Sequence, residues 1–191
     1  MCPASAKQLT PRAQEILATA RELLENEGLE ALSMRNLAER VGIRAASIYK
    51  HFGSKEALEA GLISRGFEEQ AVLYDAALEA SAEPLAAMAR AYRDFARRHP
   101  HLYRLMYDRP LDRSLLVPGS EEAAAAPVIR AFGQDQDLAR AAFAFAHGMT
   151  ILELNDRFPA DADIDRAWEL GLAALGGMVR PYEEAPGVSR P

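Results

Sequence analysis

The sequence predicts an all-α protein. Apolar side chains recur at spacings of three and four residues along most of the 191-residue chain, and no segment shows the two-residue alternation typical of a strand. Proline, glycine and serine or threonine residues interrupt these patterns where helix ends are expected. With 49% apolar residues, the chain can form one or two compact domains with a substantial core.

Three short helices are predicted near the amino terminus. Thr10 followed by Pro11 provides a cap and a first-turn proline for the first helix, which should end at Gly28. Ser33 is the expected cap of the second helix. After a tight glycine-containing turn, the third helix should run over residues 45–51, one to two turns.

Longer helices are predicted beyond this segment. Ser54 should cap an amphipathic helix over residues 55–80, and Pro84 suits the first turn of the next helix, which the His-Pro pair at residues 99–100 should stop. A short apolar helix follows. Residues 110–127 contain three prolines, so we expect at most a short helix there.

Two apolar seams near the carboxyl terminus repeat at spacings of 4, 3, 4 and 3 residues, which is typical of coiled-coil-like packing. We interpret these seams as the interface of a four-helix dimer bundle. The alternative is packing within one subunit. The interface candidates are Leu138, Ala142, Phe145, Leu152, Ile164, Trp168, Gly171, Leu175 and Met178.

Composition narrows the function classes. Cys2 is the single cysteine, so neither a disulfide framework nor a cysteine-based zinc site can form, and we expect a cytoplasmic protein without metal or cofactor. No apolar run of membrane-spanning length occurs. The sequence shows no nucleophile with its base, no paired carboxylates and no glycine-rich phosphate loop, so we expect no enzyme.

Charge is unevenly distributed. The whole chain has a net charge of −6. The segment from Ser33 to Lys55, however, contains five basic residues and one acidic residue, which gives it a local charge of +4. Such a basic window on an acidic body is typical of a small nucleic-acid reader attached to a domain that does not bind nucleic acid. A solvated charged face would show the same charges.

Two short helices joined by a glycine-containing turn predict a helix-turn-helix, whose second helix enters the major groove. The small side chains of Ala45 and Ala46 would let that helix approach base edges, and Arg44 would either pair with guanine or hold a phosphate. Further donors to phosphate oxygens are Ser47, Tyr49, Lys50 and Lys55.

The same segment resembles the DNA-binding domain of TetR-family transcriptional regulators. The resemblance is strongest over residues 47–58, Ser-Ile-Tyr-Lys-His-Phe-Gly-Ser-Lys-Glu-Ala-Leu. It implies a dimer on a palindromic operator, usually as a repressor, with an inducer bound by the later helices. It also implies that Ser33 and Arg35 contact phosphate, that residues 44–47 read bases, and that Tyr49, His51 and Lys55 hold the DNA backbone.

The carboxyl half is similar to the WHG-type regulator domain of this family, through residues 99–107 and 146–149, although Phe143 stands where that subtype often has tryptophan. Aromatic and methionine side chains there would either line an apolar effector pocket or simply form the core. The pocket candidates are Tyr92, Phe95, Met106, Tyr107, Phe132, Phe143, His147 and Met149.

These observations predict a disordered tail over residues 1–9, a helix-turn-helix domain over 10–55, an effector-binding and dimerisation domain over 56–181, and a flexible tail over 182–191. The expected function is a homodimeric regulator that binds a double-stranded operator and is released by a small-molecule effector, with no membrane partner. The alternative is a ligand-independent regulator whose carboxyl domain only dimerises or binds a protein.

Overall fold

The computed structural model describes residues 9–179, and every regular element in that range is helical, which confirms the all-α prediction. Apart from Leu9, the predicted tails, including Cys2, lie outside the described residues. A single 3-10 turn, Arg113–Leu115, lies between α6 and α7. The α-helices within the described range are α1 (Pro11–Glu27), α2 (Met34–Val41), α3 (Ala45–Ile48), α4 (Lys55–Ala80), α5 (Pro84–Arg98), α6 (Pro100–Tyr107), α7 (Ser120–Ala131), α8 (Gln136–Leu154) and α9 (Ile164–Gly176).

The chain divides into two compact units. The first contains residues 9–72 and 94–124, and the second contains residues 73–93 and 125–179 of the described range. This division differs from the boundary that we expected between residues 55 and 56. The reason is that α6 packs against α1 inside the first unit, where Leu102 and Tyr103 are fully buried.

Local sequence fixes the helix ends in the first unit. The three predicted caps are present, and each hydroxyl accepts a hydrogen bond at 3.1 or 3.2 Å from the backbone N–H three residues later: Thr10, Ser33 and Ser54. Gly28 and Gly42 end α1 and α2 with φ angles of +81° and +72°, which glycine adopts without a steric penalty.

The third helix is shorter than the sequence predicted. It ends at Ile48, and the N–H groups of His51 and Phe52 both donate to the Ile48 carbonyl at 2.8 and 2.9 Å. These hydrogen bonds close a turn instead of extending the helix. Ile48 and Phe52 are buried, so this turn is fixed by its apolar side chains.

Helix α6 lies close against both α4 and α1. A Cβ atom placed on Gly66 would lie 2.5 Å from Met106 Sδ, so the glycine permits the close approach of α4 and α6. At the start of α6, His101 contacts the position where Gly28 would carry a side chain, and His99 Nδ1 lies 3.4 Å from Glu25 Oε1.

In the second unit, Trp168 holds α9 in place. Its ring is buried and lies edge-on to Phe145, with centroids 5.5 Å apart, and its indole N–H donates to Glu153 Oε1 at 2.7 Å. Arg93 on α5 donates to Glu153 at 2.8 Å and to Asp165 at 2.6 Å. Burial alone would lower the pKa of Arg93, but these two acceptors outweigh it and raise the pKa.

The prediction of at most a short helix in residues 110–127 was wrong. Helix α7 has 12 residues and continues through Pro127 to Ala131. Proline removes one backbone hydrogen bond from the helix interior, yet four alanines at residues 123–126 favour the helical conformation, and Pro127 itself is buried.

We predict that Gly171→Ala destabilises the second unit. A Cβ atom at residue 171 would overlap the Phe145 ring, which is already packed against Trp168. Urea denaturation should show a loss of about 1–3 kcal/mol in the free energy of unfolding. In a Phe145→Ala background the same change should stabilise by up to about 1 kcal/mol, because alanine favours helix. An equal effect in both backgrounds would contradict the packing described.

Candidate nucleic-acid interface

The predicted DNA-binding residues all belong to the first unit, and we use the name basic face for residues 33–35, 44–51 and 55. On it, Arg35, Arg44, Ala46, Tyr49, Lys50 and His51 are exposed, and Ser33, Ala45, Ser47 and Lys55 are half-buried. Beneath them lie Ile48 and Phe52, which are buried. The polar and small side chains of α3 therefore point outward, while the two apolar side chains hold the segment to the core.

The start of α3 presents Arg44 to solvent. Its backbone is extended, with φ −80° and ψ 144°, and its side chain makes no hydrogen bond to cap the helix. The following Ala45 and Ala46 add only methyl groups. A guanidinium next to two methyl groups can pair with guanine and contact thymine methyl groups when the helix enters a major groove.

The start of α2 offers a second group of donors. Ser33 Oγ accepts from Asn36 N, which leaves the hydroxyl proton able to donate. Arg35 is 86% exposed in its side chain and lies 3.4 Å from Glu39. Arg40 is one of the five basic residues between Ser33 and Lys55, but it pairs with Glu27 and so links α2 to α1.

The first turn of α4 brings Lys55 to the edge of the basic face. The neighbouring carboxylate of Glu56 has a lowered pKa, because its own backbone N–H and the Ser54 hydroxyl donate to it. Some of the donors at this helix start are therefore used within the chain. Lys55, with its mobile ammonium group, remains the main cation of this turn.

One residue at this site was missed by the sequence analysis. Glu59 is 8% exposed and is shared between two cations: its Oε1 lies 3.5 Å from Lys55 Nζ, and its Oε2 accepts from Arg109 Nη1 at 3.3 Å. The four-residue spacing from Lys55 signals a helical ion pair. No local pattern signals Arg109, because it is 50 residues away in sequence.

The effector-pocket candidates do not fall in one unit. Phe95, Met106 and Tyr107 belong to the first unit and the other five to the second. Several are core side chains, including Tyr92 and Phe132. The ring of His147 stacks on Phe143 at 6.0 Å. Among residues 9–179, Gly148 has no neighbour within 4 Å of a Cβ position, so it mediates no close helix contact there.

The dimer-interface candidates differ in their exposure within the single chain. Leu138, Ala142 and Trp168 are buried in the single chain, and Phe145 packs against Gly171 of the same chain. Part of the predicted seam is thus the contact between α8 and α9 in one subunit. Ile164 and Leu175 are half-buried, and Leu152 and Met178 are exposed.

An apolar stripe that overlaps the predicted seam remains exposed on α8 and α9. It shares Leu152 and Met178 with the predicted seam, and its other members are shifted by about one residue: Ala141, Ala144 and Gly148 on α8, and Leu170, Ala173, Ala174 and Gly177 on and just after α9. Leu170 and Met178 expose 54% and 65% of their surfaces. Apolar periodicity alone could not distinguish this stripe from the buried one, because both faces carry small and apolar residues.

Residues 9–179 contain no group of three or more His, Cys, Asp or Glu side chains placed to hold a metal ion. No helix within that range is long and apolar enough to cross a membrane.

Comparisons with known proteins cover both halves of the chain. Residues 16–60 match the family model described as bacterial regulatory proteins, tetR family, and residues 85–175 match the model of the tetracyclin repressor-like, C-terminal domain. An uncharacterized HTH-type transcriptional regulator of Mycobacterium tuberculosis is 29% identical over 178 residues, which is 87% of this chain and 81% of that protein. The expected WHG subtype stays a prediction.

Solved structures share the fold. A protein of unknown function from Rhodococcus sp. RHA1 has a TM-score of 0.74 and 26% identity, over 93% of this chain and 100% of that one. A TetR variant from Acinetobacter baumannii AYE in complex with minocycline has a TM-score of 0.61 and 22% identity, over 89% of this chain and 96% of that one. With both halves matched by models of one family of regulators that are not enzymes, the chain belongs to the TetR family of transcriptional regulators.

Proposed function

We propose that the protein is a homodimeric repressor that binds a palindromic DNA operator and is released from it by a small-molecule effector. The observation that carries this proposal is the basic face, in which the short helix α3 has small side chains and the donors just before and after it, Arg44, Tyr49, Lys50 and His51, are exposed. Such a surface fits a major groove and the phosphates on either side of it.

On DNA, α3 lies in the major groove. Arg44 and the two alanines after it contact base edges, while Tyr49, Lys50 and His51 contact phosphates. Ser33 and Arg35 at the start of α2 hold phosphates on one side, and Lys55 at the start of α4 holds them on the other. Base contacts give sequence preference, and phosphate contacts give most of the affinity.

Dimerisation uses the exposed stripe of α8 and α9. Small residues such as Ala144 and Gly148 let two helices approach closely, and the larger Leu152 and Leu170 add apolar area. A two-fold dimer would place its two α3 helices about 34–36 Å apart, one turn of DNA. This spacing is the reason that the operator should be palindromic.

Release by an effector is supported by the packing of α6. Helix α6 touches α1 through His99 and His101, and Arg109 just after it pairs with Glu59 next to Lys55. A ligand that favours a different position of α6 would therefore change the DNA-binding surface. The TetR variant with minocycline shows a fold of this kind in a ligand complex. A ligand-independent regulator is the alternative, favoured by the tight packing of the candidate pocket residues.

The direct test is selection of binding sites from random duplex DNA with the full chain, repeated with Arg44→Ala. We expect a two-fold-symmetric consensus, and the variant should lose preference at one position per half-site by roughly 1–3 kcal/mol. A consensus that Arg44→Ala leaves unchanged would assign Arg44 to phosphate. No enrichment at all would contradict the proposed function.

A second prediction concerns the shared carboxylate. Glu59→Gln removes the charge that competes with DNA phosphate for Lys55, so DNA affinity should rise about two- to fivefold. Arg109→Ala leaves Glu59 with Lys55 alone, so affinity should fall by a similar factor. Fluorescence anisotropy over a range of salt concentrations measures both. Changes in the same direction would show that Glu59 does not govern Lys55.

A third prediction tests the dimer surface. Leu170 is exposed in the single chain, so Leu170→Asp should leave folding intact and place an unpaired charge in the dimer interface. Sedimentation equilibrium should then show a monomer. Val72→Asp is the matched control, because Val72 is 70% exposed but lies on α4, and that variant should stay dimeric. A dimeric Leu170→Asp protein would place the interface elsewhere.

A further inference from the structure

One buried polar group in the first unit has an unused donor. Gln70 on α4 is 1% exposed, and its Oε1 accepts a hydrogen bond from the Tyr107 hydroxyl at 2.7 Å. Its Nε2, which carries two donor hydrogens, has no hydrogen-bond partner among the described residues. Buried polar atoms nearly always have a partner, so this donor calls for one that residues 9–179 do not supply.

Two buried polar side chains earlier on α4, Ser64 and Glu59, have partners. The Ser64 hydroxyl donates to the Ala60 carbonyl at 2.8 Å and accepts from the Val117 N–H at 2.9 Å. Glu59 is paired with Lys55 and Arg109. The side chain of Gln70, by contrast, uses only its oxygen.

The surroundings of this amide are aromatic and poor in charge. Tyr107 packs against Tyr103 at 5.0 Å and against Phe67 at 6.3 Å between ring centroids. Burial raises the pKa of the Tyr107 hydroxyl, and the nearby Tyr103 and Glu121 raise it further. Glu121 is itself paired with Arg113 at 2.7 and 2.8 Å. The site thus provides a hydrogen-bond donor in a dry environment that disfavours added negative charge.

The wall beside the amide is adaptable. Gly66 lies one helical turn before Gln70 on the same face of α4, and Met106 Sδ occupies the space where a Cβ atom of residue 66 would be. Methionine is unbranched and changes its rotamer easily, so this wall can yield to a ligand while the helices stay in place.

We propose that Gln70 Nε2 is the polar anchor of the effector, and that the effector is a neutral, mainly apolar molecule that presents a carbonyl oxygen. This inference rests on the proposed function, because the ligand is the effector assigned there. The site is coupled to the DNA-binding surface through α6: Tyr107 is the last residue of α6, and Arg109, two residues later, pairs with Glu59.

The experiment uses matched probes that differ in the carbonyl group. Dissociation constants of acetophenone and ethylbenzene, and of benzophenone and diphenylmethane, are measured by ligand-observed NMR on the full chain without DNA. In at least one pair the ketone should bind roughly tenfold more tightly, the value of one hydrogen bond to a buried donor. The side-chain amide resonances of Gln70 should shift with that ketone and not with its hydrocarbon.

Two variants test whether Gln70 is responsible for the ketone preference. Gln70→Met keeps the length of the side chain but removes the donor. The ratio of the hydrocarbon's dissociation constant to the ketone's should therefore fall to about one. Thr150→Val is the matched control, because Thr150 Oγ1 is also buried and without a hydrogen-bond partner among the described residues, but it lies in the second unit. That variant should keep the ketone preference. The amide resonances of the unmodified protein provide the same test if Gln70→Met fails to fold.

Equal binding of ketone and hydrocarbon in both pairs, or a ketone preference that survives in Gln70→Met, would overturn the inference. DNA binding is measured separately, so the two proposals can fail independently. Ketone binding that depends on Gln70 but leaves operator affinity unchanged would support the site and contradict release by the effector. Normal operator binding without any ketone preference would contradict the site alone.

Discussion

The burial of Ile48 and Phe52 is the contact on which the proposed DNA-binding surface depends. Helix α3 has four residues, far fewer than an isolated helix needs to be stable in water. Its conformation is therefore set by these two side chains, which are almost fully buried, and by Gly61, whose missing side chain leaves room for Phe52 and Leu17. This packing therefore determines the position of every outward-facing residue of α3.

A second constraint links that surface to the rest of the first unit. The carboxylate of Glu59 lies between Lys55, at the start of α4, and Arg109, after the end of α6. At the start of α6, His99 lies close to Glu25 of α1 and His101 lies against Gly28, which ends α1. These contacts are in the same unit as the Glu59 ion pairs. A regulator needs an element with two positions that different ligands prefer. We propose that α6 is this element, because it contacts α1 through His99 and His101 and the buried amide of Gln70 through Tyr107.

Local chemistry made much of the fold predictable. Ser33, Ser54 and Gly28 mark helix ends through hydrogen bonds and backbone angles that involve neighbouring residues only, so the sequence was sufficient. Pro127 misled the prediction, because its cost is offset by the helical propensity of the alanines before it and by its own burial. Long-range pairs such as Glu59 with Arg109 leave no local signal.

The predicted dimer seam shows that apolar periodicity alone cannot separate a contact within one chain from a contact between two chains. Trp168 and Gly171 fit a repeating seam in sequence, but they pack against Phe145 in their own chain, and the exposed stripe lies about one residue away.

The central claim, that DNA binds to the basic face, is tested most directly by amide hydrogen exchange of the full chain with and without a selected duplex. We expect slower exchange over residues 33–58 and unchanged exchange in α5. Unchanged exchange over residues 33–58 on saturating duplex would contradict the account.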